Sequence, residues 1–332
     1  MSRMADVSRE ADLPDAMPAN YRVLMRVAVV DLGTNTTRVL VADVDDGHVH
    51  ELERRTKVTR LGEGVDSTGR LADGAIERVT ETLTDYKAII DELKPERTIA
   101  LATSATRDAD NGSDFRQMLH DRFGLDAHII PGEEEARLTF LGATAARPSG
   151  DGPFVVIDIG GGSTEYVVGV AGEDPSFRVS TQAGSVRQTE RHLKEDPPSD
   201  EDVLTLRAAI RSIIEGEIPP SLRDQVRSGI AVAGTATSLA AIDQQLDPYD
   251  PDKVNGYVLW LDACERMLGE LAAIPLEERR QVTGLHPDRA PTIIAGAAIL
   301  VESMRVLRLA SVEVSEADIL HGAALDLARR GG

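Results

Sequence analysis

The chain has 332 residues, 42% of them hydrophobic, a formal net charge of −20 and a single cysteine. That length suits two domains with ample core, and the acidic balance argues against a general nucleic-acid binder or a polybasic membrane binder. Lone Cys264 excludes an internal disulfide framework and suits the cytosol. The sequence has no 18-residue apolar run and no signal-peptide core, so a soluble, unexported, cytoplasmic protein is expected.

Residues 1–25 mix small, polar and acidic types with two prolines and read as a mobile arm. Met25 stands directly before the first strand, Arg26–Val30, which ends at Asp31-Leu32-Gly33-Thr34-Asn35-Thr36. Strands Arg38–Asp43 and Val49–Lys57 flank a turn at Asp45-Asp46-Gly47, and Arg60-Leu61-Gly62-Glu63-Gly64 leads out of them. A helix is predicted over Asp73–Leu93, with Ile76, Val79, Leu83, Tyr86, Ile90 and Leu93 on one face. The next strand, Thr98–Ala102, runs into the hydroxyl-rich loop Thr103-Ser104-Ala105-Thr106-Arg107. Strand Ala127–Ile130 then meets Pro131-Gly132-Glu133-Glu134-Glu135-Ala136-Arg137, where a helix over Glu134–Ala145 begins.

The same plan follows a second time. Apolar Phe154–Ile157 feeds into Asp158-Ile159-Gly160-Gly161-Gly162-Ser163-Thr164-Glu165, then strands Tyr166–Val170 and Phe177–Gln182 and the segment Gly184–Arg187. A helix capped by Ser199 with Asp202 three residues on precedes strand Gly229–Ala233 and the loop Gly234-Thr235-Ala236-Thr237-Ser238. One supersecondary plan used twice divides the chain into domains of residues 26–137 and 138–332. The remainder is largely helical: Leu261–Ala273, Leu276–Val282 and Pro291–Leu309, then a short strand at Val312–Val314. A closing helix, Asp318–Arg330, is placed to pack back on the first domain. Residues 239–259 carry no functional reading.

The glycine-rich loop holds the most chemistry. Asp158 sits at a strand end, where ligands of α/β sheets dock. Three glycines let a ligand approach the backbone, and Ser163, Thr164 and successive N–H groups suit an anion. Glu165 is a second carboxylate seven residues on. Two carboxylates beside a phosphate cradle fit Mg²⁺, which takes one or two protein carboxylates and leaves its other positions to water and phosphate; Mn²⁺ is the alternative. Asp31, Thr34, Asn35, Ser104, Gly160, Gly161, Gly162, Ser163, Thr164, Gly234 and Thr235 form the expected phosphate track, with Arg107 pairing in forked geometry. Arg38, Arg60, Arg187 and Arg289 are candidates for holding a polyanion outside the reacting centre. A water-activating base is expected among Glu133, Glu134 and Glu135, although acids at a helix N-terminus also simply favour its dipole, the reading preferred for Glu133. The seven histidines show no metal-ligand spacing.

In chain order, Asp31–Arg38, Thr103–Arg107 with Asn111, Gly132–Ala136 and Asp158–Glu165 resemble the motifs of the exopolyphosphatase/guanosine pentaphosphate phosphohydrolase family, within the actin-like, sugar-kinase and Hsp70 superfamily. Gly184–Arg187, Gly234–Ser238 and Asp288-Arg289 with Gly296 add to the likeness, which spans about residues 26 to 328 and is nearest the short actinobacterial members. The resemblance implies an α/β fold of two ribonuclease-H-like domains with the active site in the cleft between them. It implies Mg²⁺-dependent release of terminal phosphate from inorganic polyphosphate, or alternatively from guanosine pentaphosphate, and a homodimer. It assigns the base to Glu135, with Glu134 beside it. A superfamily kinase or ATPase is disfavoured, because no adenosine pocket is legible beyond the Gly234 loop. A non-catalytic sensor need not keep Asp158, Glu165 and Glu135 together. One departure concerns the C-terminus: the family often has Leu-Arg-Glu-Gly where this chain reads Ile319-Leu320-His321-Gly322.

Overall fold

The computed structural model describes residues 24–330; the expected N-terminal arm falls almost wholly outside them. β1 (Met25–Leu32), β2 (Thr36–Asp45) and β3 (His48–Val58) form an antiparallel meander. After α1 (Val65–Thr68) and α2 (Asp73–Leu93), β4 (Arg97–Ala102) joins parallel to β1. α3 (Ser104–Asp108) and α4 (Gly112–Phe123) lead to β5 (Ala127–Ile129), parallel to β4. The sheet order is β3-β2-β1-β4-β5. α2 buries Val79, Leu83, Tyr86 and Ile90 on this sheet, the face its 3.6-residue period predicts.

α5 (Gly132–Thr144) crosses to the second sheet. There β6 (Phe154–Ile159), β7 (Thr164–Gly169) and β8 (Phe177–Thr181) repeat the meander. α6 (Ser185–His192), α7 (Asp200–Glu217) and α8 (Pro220–Arg223) precede β9 (Ser228–Val232), parallel to β6. Next come α9 (Ala233–Asp243), α10 (Pro251–Val254), β10 (Val258–Trp260), α11 (Leu261–Ala272), α12 (Leu276–Arg279) and α13 (Ile293–Val306), then β11 (Ser311–Val314) and α14 (Ile319–Arg329). The order is β10-β11-β9-β6-β7-β8, so five of its strands reproduce the first sheet and β10 is an added edge. Residues 239–259 are thus spent on the end of α9, on α10 and on that edge strand. Helix α13 is buried nearly all round, with α7 and α11 against it.

Two expected loops are helices. Ser104–Arg107 lies in α3, and Gly234–Ser238 opens α9. The strand expected to reach Ala233 stops at Val232, because Ala233 takes a left-handed φ of 64°. Such a conformation in a non-glycine residue is held only by its surroundings. Among the described residues no helix is long and apolar enough to cross a membrane.

α14 lies on α5 and on the outer face of the first sheet, burying Ile319, Leu320, Ala323 and Ala324 with Val27, Val29 and Leu40. Two glycines make this crossing close. A Cβ on Gly322 would stand 1.7 Å from the Leu138 carbonyl oxygen, and one on Gly142 would stand 2.0 Å from that of Asp318. Gly322→Ala is therefore expected to cost about 1–3 kcal/mol or more, the usual penalty of overpacking. Urea unfolding checks this; an unchanged midpoint would mean that the two helices separate freely.

Candidate active site

The strand ends at Asp31 and Asp158 and the helix starts that follow them converge on one cavity. It spans about 780 Å³, its open mouth included. From the first sheet and its helices come Asp31, Thr34, Asn35, Arg38, Ser104 and Glu135. From the second come Asp158, Gly160, Gly161, Gly162, Ser163, Gly234, Thr235 and Arg289. The two loops touch. A Cβ on Gly162 would lie 2.5 Å from Ser104 Oγ and 2.8 Å from Thr34 Oγ1, and one on Gly161 would lie 3.0 Å from Thr34 Cβ. Thr34 Oγ1 accepts a hydrogen bond from the Ala105 N–H at 3.2 Å, fixing the first loop to the start of α3. Gly162→Val is expected to force these loops apart and to lower turnover at least tenfold, read in a steady-state assay with circular dichroism as the fold control.

The carboxylates are buried and crowd one another. Asp158 and Glu165 face each other as partners across the β6–β7 ladder. Thr139, one turn beyond Glu135 on α5, donates to Asp158 Oδ2 at 3.0 Å, and Ser180 donates to Glu165 Oε1 at 2.6 Å. Burial, followed by the charge of Glu165, pushes Asp158 up to about 8 and Glu135 well above the usual carboxylate range. Burial also raises Glu165 and Asp31. Arg107 donates to Glu135 Oε2 at 3.3 Å and to the Ile130 carbonyl at 2.9 Å. Arg38 donates to Asp31 Oδ2 at 2.8 Å and to Asp318. Burial works against the Asp318 carboxylate, yet Arg38 and His321 hold it below its ordinary range.

Several expected residues stand elsewhere. Glu165 sits behind Asp158, outside the cavity lining. Thr164 is fully buried and its hydroxyl donates to the Ala183 carbonyl. Glu134 makes a bidentate pair with Arg137 at 2.7 and 2.8 Å, and Arg137 also holds Asp326 of α14. Arg187 is occupied by the Gly162 carbonyl at 2.8 Å, Asp108 at 2.6 Å and Asp66. Asn111 closes on both backbone groups of Leu71 and serves the loop there. Arg289 differs from all of these: its guanidinium presses against Gly234, where a Cβ would fall 1.1 Å from Nη1, and that guanidinium has no hydrogen bond or ion pair among the described residues. Asp318, Thr139 and Ser180 were missed in the sequence. Thr139 was findable, since positions i and i+4 share a helix face.

The donor set fits a hard divalent cation. Asp158 and Asp31 line the cavity, and the buried Oδ1 of Asp31 has no hydrogen-bond partner among the described residues. The described residues contain no cluster of three or more His, Cys, Asp or Glu side chains arranged to cage a metal.

A duplicated three-stranded meander with parallel strands added on one side, loops of both sheets meeting at a cavity of glycines, hydroxyls, arginines and carboxylates, defines an α/β protein of the actin-like and Hsp70 type. Residues 40–330 match the Ppx/GppA phosphatase family, and the chain belongs to it. It is 40% identical over 323 residues to a protein named Exopolyphosphatase 2 of Mycobacterium tuberculosis, covering 92% of this chain and 99% of that one. The crystal structure of the Aquifex aeolicus family member superposes with a TM-score of 0.78 at 32% identity, covering 93% and 99% of the two chains. That of an exopolyphosphatase from Cytophaga hutchinsonii gives 0.81 at 26% identity over 91% and 98%.

Proposed function

We propose that the chain is an exopolyphosphatase, a phosphoanhydride hydrolase that removes orthophosphate from the end of inorganic polyphosphate. The reaction is placed in a cleft between two ribonuclease-H-like domains, residues 26–137 and 138–332. The observation that carries this reading is the single cavity in which Glu135 and Asp158 meet the glycine and hydroxyl loops of both sheets. Backbone N–H groups of residues 161–163 and the hydroxyls of Thr34, Ser104 and Thr235 orient the terminal phosphoryl group. Glu135 orients the attacking water and takes its proton; burial and Glu165 raise its proton affinity as a base requires. The water oxygen bonds to the terminal phosphorus, the bridging P–O bond breaks, and the shortened chain leaves with that electron pair. Asp158 and Glu165, with Asp31, would hold Mg²⁺, which would neutralise charge on the phosphoryl oxygens. The cytoplasm is the proposed site of action and a homodimer the proposed assembly, both resting on the family likeness.

Unpaired Arg289 is positioned for the phosphates that follow the terminal one. Arg289→Ala is expected to raise KM for polyphosphate about tenfold or more, the worth of one charge-assisted contact, with a smaller effect on kcat. An unchanged KM would remove it from the track. A second reading, guanosine pentaphosphate as substrate, is favoured by an adjoining cavity that spans about 1880 Å³ with its open mouth included. This cavity shares Arg38, Gly234 and Arg289 with the first and adds Leu246, Tyr249 and Leu285, a lining that suits a nucleoside. Initial rates of phosphate release from long and short polyphosphate, guanosine pentaphosphate and ATP, each with Mg²⁺, test the proposal. Preference for the nucleotide with weak polyphosphate cleavage at every length would promote the second reading.

A further inference from the structure

We propose that the orthophosphate cut from the chain end leaves through a second opening behind Glu135, not through the mouth by which the polymer enters. The proposal rests on the hydrolytic reading of the cleft and concerns the path of its product. A polymer cut at its end keeps its remaining phosphates between the cleaved group and the entrance. In this protein the entrance continues past Arg38, Gly234 and Arg289 into the larger cavity, so a retained polymer fills that route. The freed phosphate then lies on the inner side, against Glu135.

A depression of about 1000 Å³, open to solvent, lies on that inner side. It is lined by Arg107, Gly132, Arg178, Ser180 and Gln182, with Glu133 and Glu134 at its rim. The wall between the two spaces is the Glu135–Arg107 pair at one place and the row Asp158, Glu165 and Ser180 at another. Glu135 lines the cleft, and its partner Arg107, 3.3 Å away, lines the depression. Glu165 stands behind Asp158, and its partner Ser180, 2.6 Å away, also lines the depression. Gly132 lets Ser180 and Arg107 approach here, because a Cβ there would stand 2.4 Å from Ser180 Cβ and 3.8 Å from an Arg107 nitrogen.

The electrostatics suit passage more than retention. Arg107 lines the depression and reaches the cleft through Glu135, a donor that an anion can follow outward once that pair parts. Arg178 stands at the opening, 3.6 Å from Glu133, and Glu134 is neutralised by Arg137. Cationic and anionic groups therefore nearly balance along the path. An anion is guided there without being trapped, as a product route requires when release is able to limit turnover.

The test fills the opening without touching Glu135 or Glu165. Arg178→Trp and Gln182→Trp are each made in the full chain, with thermal unfolding as the fold control; two positions guard against one variant misfolding. Long polyphosphate with Mg²⁺ is mixed rapidly, and phosphate is read twice: total cleaved phosphate after acid quench, and free phosphate with a fluorescent phosphate sensor. The expected result is a burst of about one cleaved phosphate per site at the wild-type rate, followed by steady turnover lowered about tenfold, with free phosphate lagging behind cleaved phosphate. Tripolyphosphate, whose remainder departs quickly, is expected to show a smaller loss. Steady turnover within twofold of wild type in a folded variant would overturn the proposal. So would a burst slowed as much as the steady rate, since the substitution would then act on cleavage itself. Absence of phosphate release from polyphosphate by the wild type would overturn the hydrolytic reading instead.

Discussion

Glu135→Gln is expected to lower turnover on polyphosphate by about 10²–10⁴-fold, the usual contribution of a positioned base, and to leave KM within a few-fold. The amide keeps the shape of the side chain and its contact with Arg107, but it cannot take a proton from water. Glu135 lines the cleft at the first turn of α5, pinned by Arg107 and set one turn before Thr139, which holds Asp158. Glu134→Gln is the control. Its carboxylate is engaged by Arg137, which ties α5 to Asp326 of α14, so the substitution is expected to cost stability and to leave kcat within about twofold. Initial rates at saturating polyphosphate for both variants decide the matter. Equal losses, or a larger loss for Glu134→Gln, would place the base on the wrong glutamate.

The repeat was the most legible feature of the sequence, because an apolar strand ending in Asp-x-Gly reports both a buried strand and a turn that admits a ligand. The cross-strand meander and the α2 face followed from alternation and from the 3.6-residue period. What the sequence concealed was partnership. Arg187 and Arg289 look alike in a string of letters, yet Arg187 is saturated by Asp66, Asp108 and a carbonyl while Arg289 has none of these. The difference lies in long-range contacts that no local pattern encodes. Asp318 was hidden for the same reason. It reads as the cap of a terminal helix, which it is, and its other oxygen also holds Arg38 280 residues away. Hydroxyls and glycine favour turns, so the sequence predicts loops at the Ser104 and Gly234 segments. In the structure they are helix starts. The C-terminal departure also has a consequence: Leu320 lies in the buried contact on the first sheet and His321 pairs with Glu51 at 2.9 Å.

Asp158→Asn is expected to abolish most activity, by roughly 10²-fold or more if, as proposed, this carboxylate holds the metal, while making the metal-free protein more stable at alkaline pH. The sign follows from linkage. Burial and then Glu165 raise the folded-state value of Asp158 to about 8 from 3.8. Between those two values the folded chain binds a proton that the unfolded chain has lost, so the stability of the metal-free protein falls as pH rises through this window. An asparagine carries no such charge, so in EDTA its unfolding midpoint should fall less between pH 5 and pH 9 than that of the wild type. Mg²⁺ should reverse the comparison. A cation that binds the folded wild type stabilises it by mass action, most strongly above pH 8, where Asp158 is ionised, and the variant gains little. Thermal unfolding of both proteins at pH 5 and pH 9, with EDTA and with Mg²⁺, reads all of this in one matrix. If Mg²⁺ raises both midpoints equally and Asp158→Asn retains near-wild-type turnover at low Mg²⁺, the metal does not depend on Asp158 and must be sought among Asp31 and the phosphates alone.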